Sequence, residues 1–155
     1  MMKSIRPFGL LSFGGAALLL CGFAAVQLSV PAVEASQKTL FDNFDELHRL
    51  GAFVLGDGGV VIGKISKESG SDSLGDKYGA GSKYKTDGLF NEFSKYGSEF
   101  DTTSAFSEYA TKPPLIVIKK DNVLYTVGIL SMNKFASTKA QRISPYILKA
   151  WLSSK

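Results

Sequence analysis

The chain has 155 residues, 45% of them apolar, 21% charged and 12% aromatic, with a formal charge of +4; this is the composition of a folding chain and not of a disordered one. A single cysteine, Cys21, and a single histidine, His48, exclude intrachain disulfides, thiolate-metal clusters and multi-histidine metal sites. The lysines are scattered, with only Lys119 and Lys120 adjacent, so the basic balance describes a solvated surface, and no nucleic-acid partner is expected.

Lys3 and Arg6 give a positive start, Phe8 to Val26 is an uncharged run rich in Gly, Ala and Leu, and Val33-Glu34-Ala35 sets small residues at the −3 and −1 positions of a cleavage site. Residues 1–35 therefore read as an export signal cut between Ala35 and Ser36, with one mature domain over 36–155. Two other readings compete. An uncleaved anchor would use Phe8 to Val30, weakened by its Gly and Ala residues and Gln27. A lipoprotein would use Cys21, but the bulky Leu20 precedes it where acylation needs a small residue. Cleavage would leave no stable membrane span and place the protein in the periplasm or outside the cell. It would also remove Cys21, Lys3, Arg6 and Glu34, taking 18 basic and 14 acidic residues to 16 and 13.

The mature chain reads as α+β. Leu40, Phe41, Phe44, Leu47 and Leu50 recur at the spacing of one helix face over Thr39 to Leu50, and Gly51 ends the helix. His48 sits at the margin of that face, where a boundary histidine is the simpler reading than a ligand or an acid–base group. Ala52–Leu55, Gly56–Gly59 and Val60–Ser66 predict strand, turn and strand. After Pro113-Pro114 a second hairpin follows, with Leu115–Ile118 and Val123–Ser131 as strands and Lys119–Asn122 as the turn. Both hairpins finish alike, as Gly63-Lys64-Ile65-Ser66 and Gly128-Ile129-Leu130-Ser131, which suggests duplication. Ser144-Pro145 followed by Tyr146, Ile147, Leu148, Trp151 and Leu152 predicts a C-terminal helix capped by Ser144 and anchored by Trp151.

Lys67 to Lys112 is rich in Gly, Ser, Asp and Lys, yet eight of the mature chain's fifteen aromatic residues lie between Tyr78 and Tyr109. A disordered linker is depleted in such side chains, so the segment should be ordered. It also repeats over about 72–110: Asp76-Lys77-Tyr78-Gly79, Asn91-Glu92-Phe93-Ser94 and Ser107-Glu108-Tyr109-Ala110 share one form, and Gly81-Ser82-Lys83-Tyr84 and Gly97-Ser98-Glu99-Phe100 another, at a period of 15 to 16. Each unit should make a turn capped by Asp, Asn, Ser or Thr, with its aromatic folded inward onto neighbouring units. The competing reading is that Tyr78, Tyr84, Phe93, Tyr96, Phe100 and Tyr109 form an exposed interaction surface for an envelope polysaccharide or protein. Scarcity of aliphatic residues in the segment favours the inward reading.

Tyr78-Gly79, Gly81-Ser82-Lys83-Tyr84 and Tyr96-Gly97-Ser98-Glu99-Phe100, with the two flanking hairpins, resemble a family of small exported bacterial proteins of unknown function. That family carries repeats of the form Asn-Pro-Tyr-Gly-x-Tyr-Gly-Ser-Pro-Tyr between short strands. The resemblance covers roughly Gly56 to Phe135, and this chain has Lys77, Lys83, Glu92, Glu99 and Glu108 where prolines are usual. It implies an envelope or periplasmic location and a shared scaffold, and no activity.

No motif carries chemistry. Gly58 to Gly63-Lys64 approaches a phosphate-binding loop, but Ile65 stands where a hydroxyl must hold magnesium. Asp42-Asn43, Asp72 with Asp76, and Asp121-Asn122 lack the alternation of a calcium loop. The expectation is no catalytic, cofactor or metal residue, hence a non-enzymatic binding or structural module. The alternative is a small secreted hydrolase acting through carboxylates, or through a serine with His48 as its base.

Overall fold

The computed structural model describes residues 40–136 and 139–154. The expected cleavage site at Ala35 and Ser36, and the export segment with it, lie outside the described residues. Helix α1 spans residues 40–49. It ends because Gly51 turns left-handed (φ 68°), which lets the Ala52 N–H reach the Leu47 carbonyl and the Gly51 N–H reach that of His48. Phe44 is buried and Phe41 and Leu47 pack beside it, whereas Leu50, past the helix end, is exposed.

Five strands follow: β1 Phe53–Leu55, β2 Val61–Lys64, β3 Leu115–Lys120, β4 Val123–Leu130 and β5 Gln141–Ile143. The sheet order is β2-β1-β3-β4-β5, antiparallel throughout except that β4 and β5 run parallel. The fold class is α+β, with α2, Pro145–Ser153, as the second helix. A short 3-10 turn, Asp57–Gly59, joins β1 to β2, with Gly58 and Gly59 at φ 73° and 79°. Between β3 and β4 only Asp121 and Asn122 form the turn, both at positive φ, the geometry that suits two-residue connections. Lys119 and Lys120 were expected in that turn but belong to β3.

The two Gly-x-Ile/Leu-Ser endings occupy corresponding places. Val54 faces Ile116 across β1 and β3, while Val54 pairs with Gly63 on one side and Ile116 with Gly128 on the other. Each outer strand then gains a parallel neighbour, Lys64 with Ser73 and Ile129 with Arg142. Gly63 is needed for close packing: a Cβ there would lie 2.6 Å from that of Ala80.

The core joins α1, the sheet, the segment 67–112 and α2 through Phe44, Val54, Ile62, Leu74, Leu89, Tyr96, Ile116, Leu148 and Trp151, among others. Trp151 stacks on Phe44 with ring centroids 5.5 Å apart and donates its indole N–H to Asp45 Oδ1 at 2.8 Å. Pro145 takes the first helical position of α2, but Ser144 does not cap it by its side chain. Its hydroxyl instead meets the Met132 sulfur at 3.5 Å. No helix among the described residues is long and apolar enough to cross a membrane.

Candidate interaction surface

Residues 67–112 are ordered without helix or named strand. Their backbone is held by one local device. The side-chain oxygen of residue i accepts the N–H of residue i+2, and its carbonyl accepts that of i+3. Asp76, Ser82, Asn91, Ser94 and Ser107 all make both bonds, as does Asn133 farther on. Asp, Asn and Ser are the side chains short enough for this. Lys77, Lys83, Glu92 and Glu108 follow the turn-forming oxygen, and the turns close without proline there because this site accepts most residues.

Neighbouring turns are then joined by side chain to backbone. Ser94 Oγ donates to the Gly88 carbonyl at 2.6 Å, Ser104 Oγ to that of Tyr96 at 3.0 Å, and Asn91 Nδ2 to that of Lys85 at 2.9 Å. Among the described residues no buried side-chain nitrogen or oxygen is left without a partner. Gly81 and Gly97 admit this closeness, since a Cβ would stand 2.1 Å from the Leu74 carbonyl oxygen and 2.2 Å from that of Asn91.

The direction of the rings differs from the inward expectation. Tyr78, Tyr84, Phe93, Phe100 and Tyr109 are 74–97% exposed. The inner positions are taken by Leu74, Ala80, Leu89, Tyr96 and Ala105, all buried, each four residues before an exposed ring. The scarcity of aliphatic side chains is met by Ala, Gly and hydrogen-bonded Ser, which bring the backbone itself close to the sheet. Tyr96, expected on the interaction surface, therefore belongs to the inner series. Its ring fills the space over Gly56, where a Cβ would lie 2.3 Å from Cζ, and its hydroxyl donates to the Asp57 carbonyl at 3.3 Å.

The five exposed rings form a continuous row, because consecutive rings share cavities. Tyr78 and Tyr84 wall one of about 430 Å³, Tyr84 and Phe93 the next, Phe93 and Phe100 a third of about 360 Å³, and Phe100 and Tyr109 a fourth. Phe90 and Phe106 line the floor, and Tyr146, Lys149 and Leu152 of α2 contribute the opposite wall. Phe106 meets Tyr146 edge-on at 5.2 Å, which ties the turns to the helix. Charge changes along the row: the residue before each ring is Lys77, Lys83, Glu92, Glu99 and Glu108 in turn.

Two features escaped the sequence reading. The inner and outer series share the spacing 6, 9, 7, 9, and this common interval was the available signal. Asn133-Lys134-Phe135 makes the same turn beyond the sheet, with Phe135 exposed and Ser131 buried two residues before Asn133.

Three carboxylates, Asp72, Asp76 and Asp101, are engaged in holding the turns. The N–H groups of Tyr78 and Gly70 hold Asp76 below the ordinary carboxylate range, the N–H and hydroxyl of Thr103 do so for Asp101, and a hydrogen bond from Lys64 does so for Asp72. A glycosidase general acid must move the other way. His48 Nδ1–H donates to the Ile65 carbonyl at 3.1 Å beside Trp151, which spends that nitrogen on the α1–sheet junction. Lys64, the near-miss of the phosphate loop, pairs with Asp72 at 2.6 Å. Among the described residues no three His, Cys, Asp or Glu side chains come together as a metal site. Comparison with known protein families, curated proteins and solved structures finds no match to this chain.

Proposed function

We propose that the protein is an exported module of the cell envelope or periplasm that binds a macromolecule, an envelope polysaccharide or protein, and performs no catalysis. In this reading a turn-repeat segment between two β-hairpins presents the aromatic row. The observation that carries it is the row itself: five large rings in contiguous cavities, set outward from an inner series of buried residues, with no buried side-chain nitrogen or oxygen among the described residues left without a partner. Apolar patches of this size are uncommon on free monomers and mark interaction sites. Tyr and Phe supply contact area at low entropic cost. The export half rests on the apolar N-terminal run and the Val33-Glu34-Ala35 sequence.

The test is retention of purified protein on a panel of cell-wall and capsular polysaccharides and purified envelope proteins, this protein itself among them, against a Phe93→Ser/Phe100→Ser variant. Row-dependent retention with unchanged thermal unfolding of the dilute protein is expected. Retention that ignores the double substitution, or none at all, overturns the binding reading. Recovery of the chain from the cytosol overturns the export reading.

A further inference from the structure

We propose that the occupant of the aromatic row is a second copy of this chain, docked antiparallel about a twofold axis through Phe93. The proposal rests on the preceding reading that the row is a recognition face, and it names the partner.

A twofold interface must be self-complementary: whatever residue i meets across it must itself be met by i in return. With Phe93 on the axis, the ring order along the cavities brings Tyr78 opposite Tyr109 and Tyr84 opposite Phe100. The charges then match. Lys77 falls opposite Glu108 of the second copy, and Lys83 opposite its Glu99. Glu92 lies beside the axis, where Lys149 is available to offset it, since Lys149 lines the same cavity as Glu92 and Phe93. A parallel arrangement would set lysine on lysine and glutamate on glutamate.

These charges are in no ion pair among the described residues. The ion pairs among the described residues are His48–Glu68, Arg49–Glu46, Lys64–Asp72 and Lys112–Asp57, and none uses a residue of the row. Lys77 and Lys83 instead lie over the rings of Tyr78 and Tyr84, at 4.9 and 5.0 Å from the centroids. A uniformly charged polymer would be drawn to one end of the row and repelled by the other, and a neutral one would leave the pattern unused. The area is adequate as well. Five rings of this exposure offer roughly 600–1,100 Å² per copy, against about 800 Å² per partner in a stable interface.

The experiment is sedimentation of the purified protein across the micromolar range, alone and as charge variants on the exposed row. Wild type should be a dimer that weakens at high salt. Lys83→Glu opposes two glutamates and Glu99→Lys opposes two lysines, so each variant alone should self-associate at least about tenfold more weakly. An equimolar mixture should restore the dimer, because in the heterodimer both copies of the 83–99 contact are again of opposite sign. Wild type that stays monomeric, or a mixture no stronger than its components, overturns the proposal. A monomer that still binds a polysaccharide or envelope protein through Phe93 and Phe100 overturns it while leaving the recognition face intact. A monomer without row-dependent binding removes both.

Discussion

Ser94 is the residue on which the turn segment most depends for its size. Its buried oxygen accepts the N–H groups of Tyr96 and Gly97 at 3.3 and 2.9 Å and its hydroxyl donates to Gly88. Ser94→Ala leaves the Tyr96 N–H without its partner in the interior, while the Gly97 N–H keeps the Ser94 carbonyl and the Gly88 carbonyl keeps the Asn91 N–H, and should cost about 1–3 kcal/mol, read from denaturant unfolding. Ser82, whose hydroxyl oxygen accepts the Tyr84 N–H alone, supplies the contrast and should cost less than about 1 kcal/mol as alanine. Tyr96 separates packing from hydrogen bonding: Tyr96→Ala empties the space over Gly56 and should cost about 3–5 kcal/mol, while Tyr96→Phe keeps the ring and gives up the hydroxyl's contacts with the Asp57 carbonyl and Lys95, about 1 kcal/mol. Equal losses for the two would refute the packing assignment. At this scale the sequence was partly legible. Trp151 is the anchor that its place in α2 suggested, but Tyr96 could not be told from Tyr78 by residue type, because both stand between a lysine and a glycine.

Among the elements, those specified by local chemistry were the readable ones. Gly51 ends α1 by its positive φ, Pro145 opens α2, and Asp121-Asn122 close β3 on β4. β5, three residues paired in parallel with β4, has no local signature, and its existence follows from a contact made at a distance. The turn segment adds a pH response. Asp76 and Asp101 have folded-state values depressed by the N–H groups they accept, so their contribution is present above the ordinary aspartate range, about pH 4, and is lost as pH falls through the depressed values. Asp101→Asn keeps an acceptor for Thr103, as Asn91 and Asn133 do for Phe93 and Phe135. It should flatten the acid limb of the stability curve with little change at neutral pH. Asp76→Asn should also weaken the neutral protein, because one amide oxygen cannot serve both Tyr78 and Gly70. An acid limb unaltered by Asp101→Asn would show that this turn opens before its carboxylate protonates. Gly97→Ala should be severe, since its methyl would enter the Asn91 carbonyl.

For the molecule as a whole, core and surface divide the turn segment between them. The sequence made Tyr and Phe natural candidates for the interior, on the usual ground that large apolar side chains are buried. What it could not display is that serine and asparagine hydrogen bonds would let the chain lie so close to the sheet that alanine fills the remaining space at residues 80 and 105. With the rings unneeded for folding of one copy, Phe93→Ser and Phe100→Ser should each change the stability of dilute protein, below the range of self-association, by less than about 0.5 kcal/mol, the usual range for surface substitutions. A loss several times larger in the dilute protein would return them to the core. The four-residue offset between Leu74, Ala80, Leu89, Tyr96 and Ala105 and the rings outside them has a consequence for inheritance. Mutations at the outer ring and at the charge preceding it escape selection for foldability, so descendants of this chain are free to acquire new specificities there without first acquiring compensating changes within.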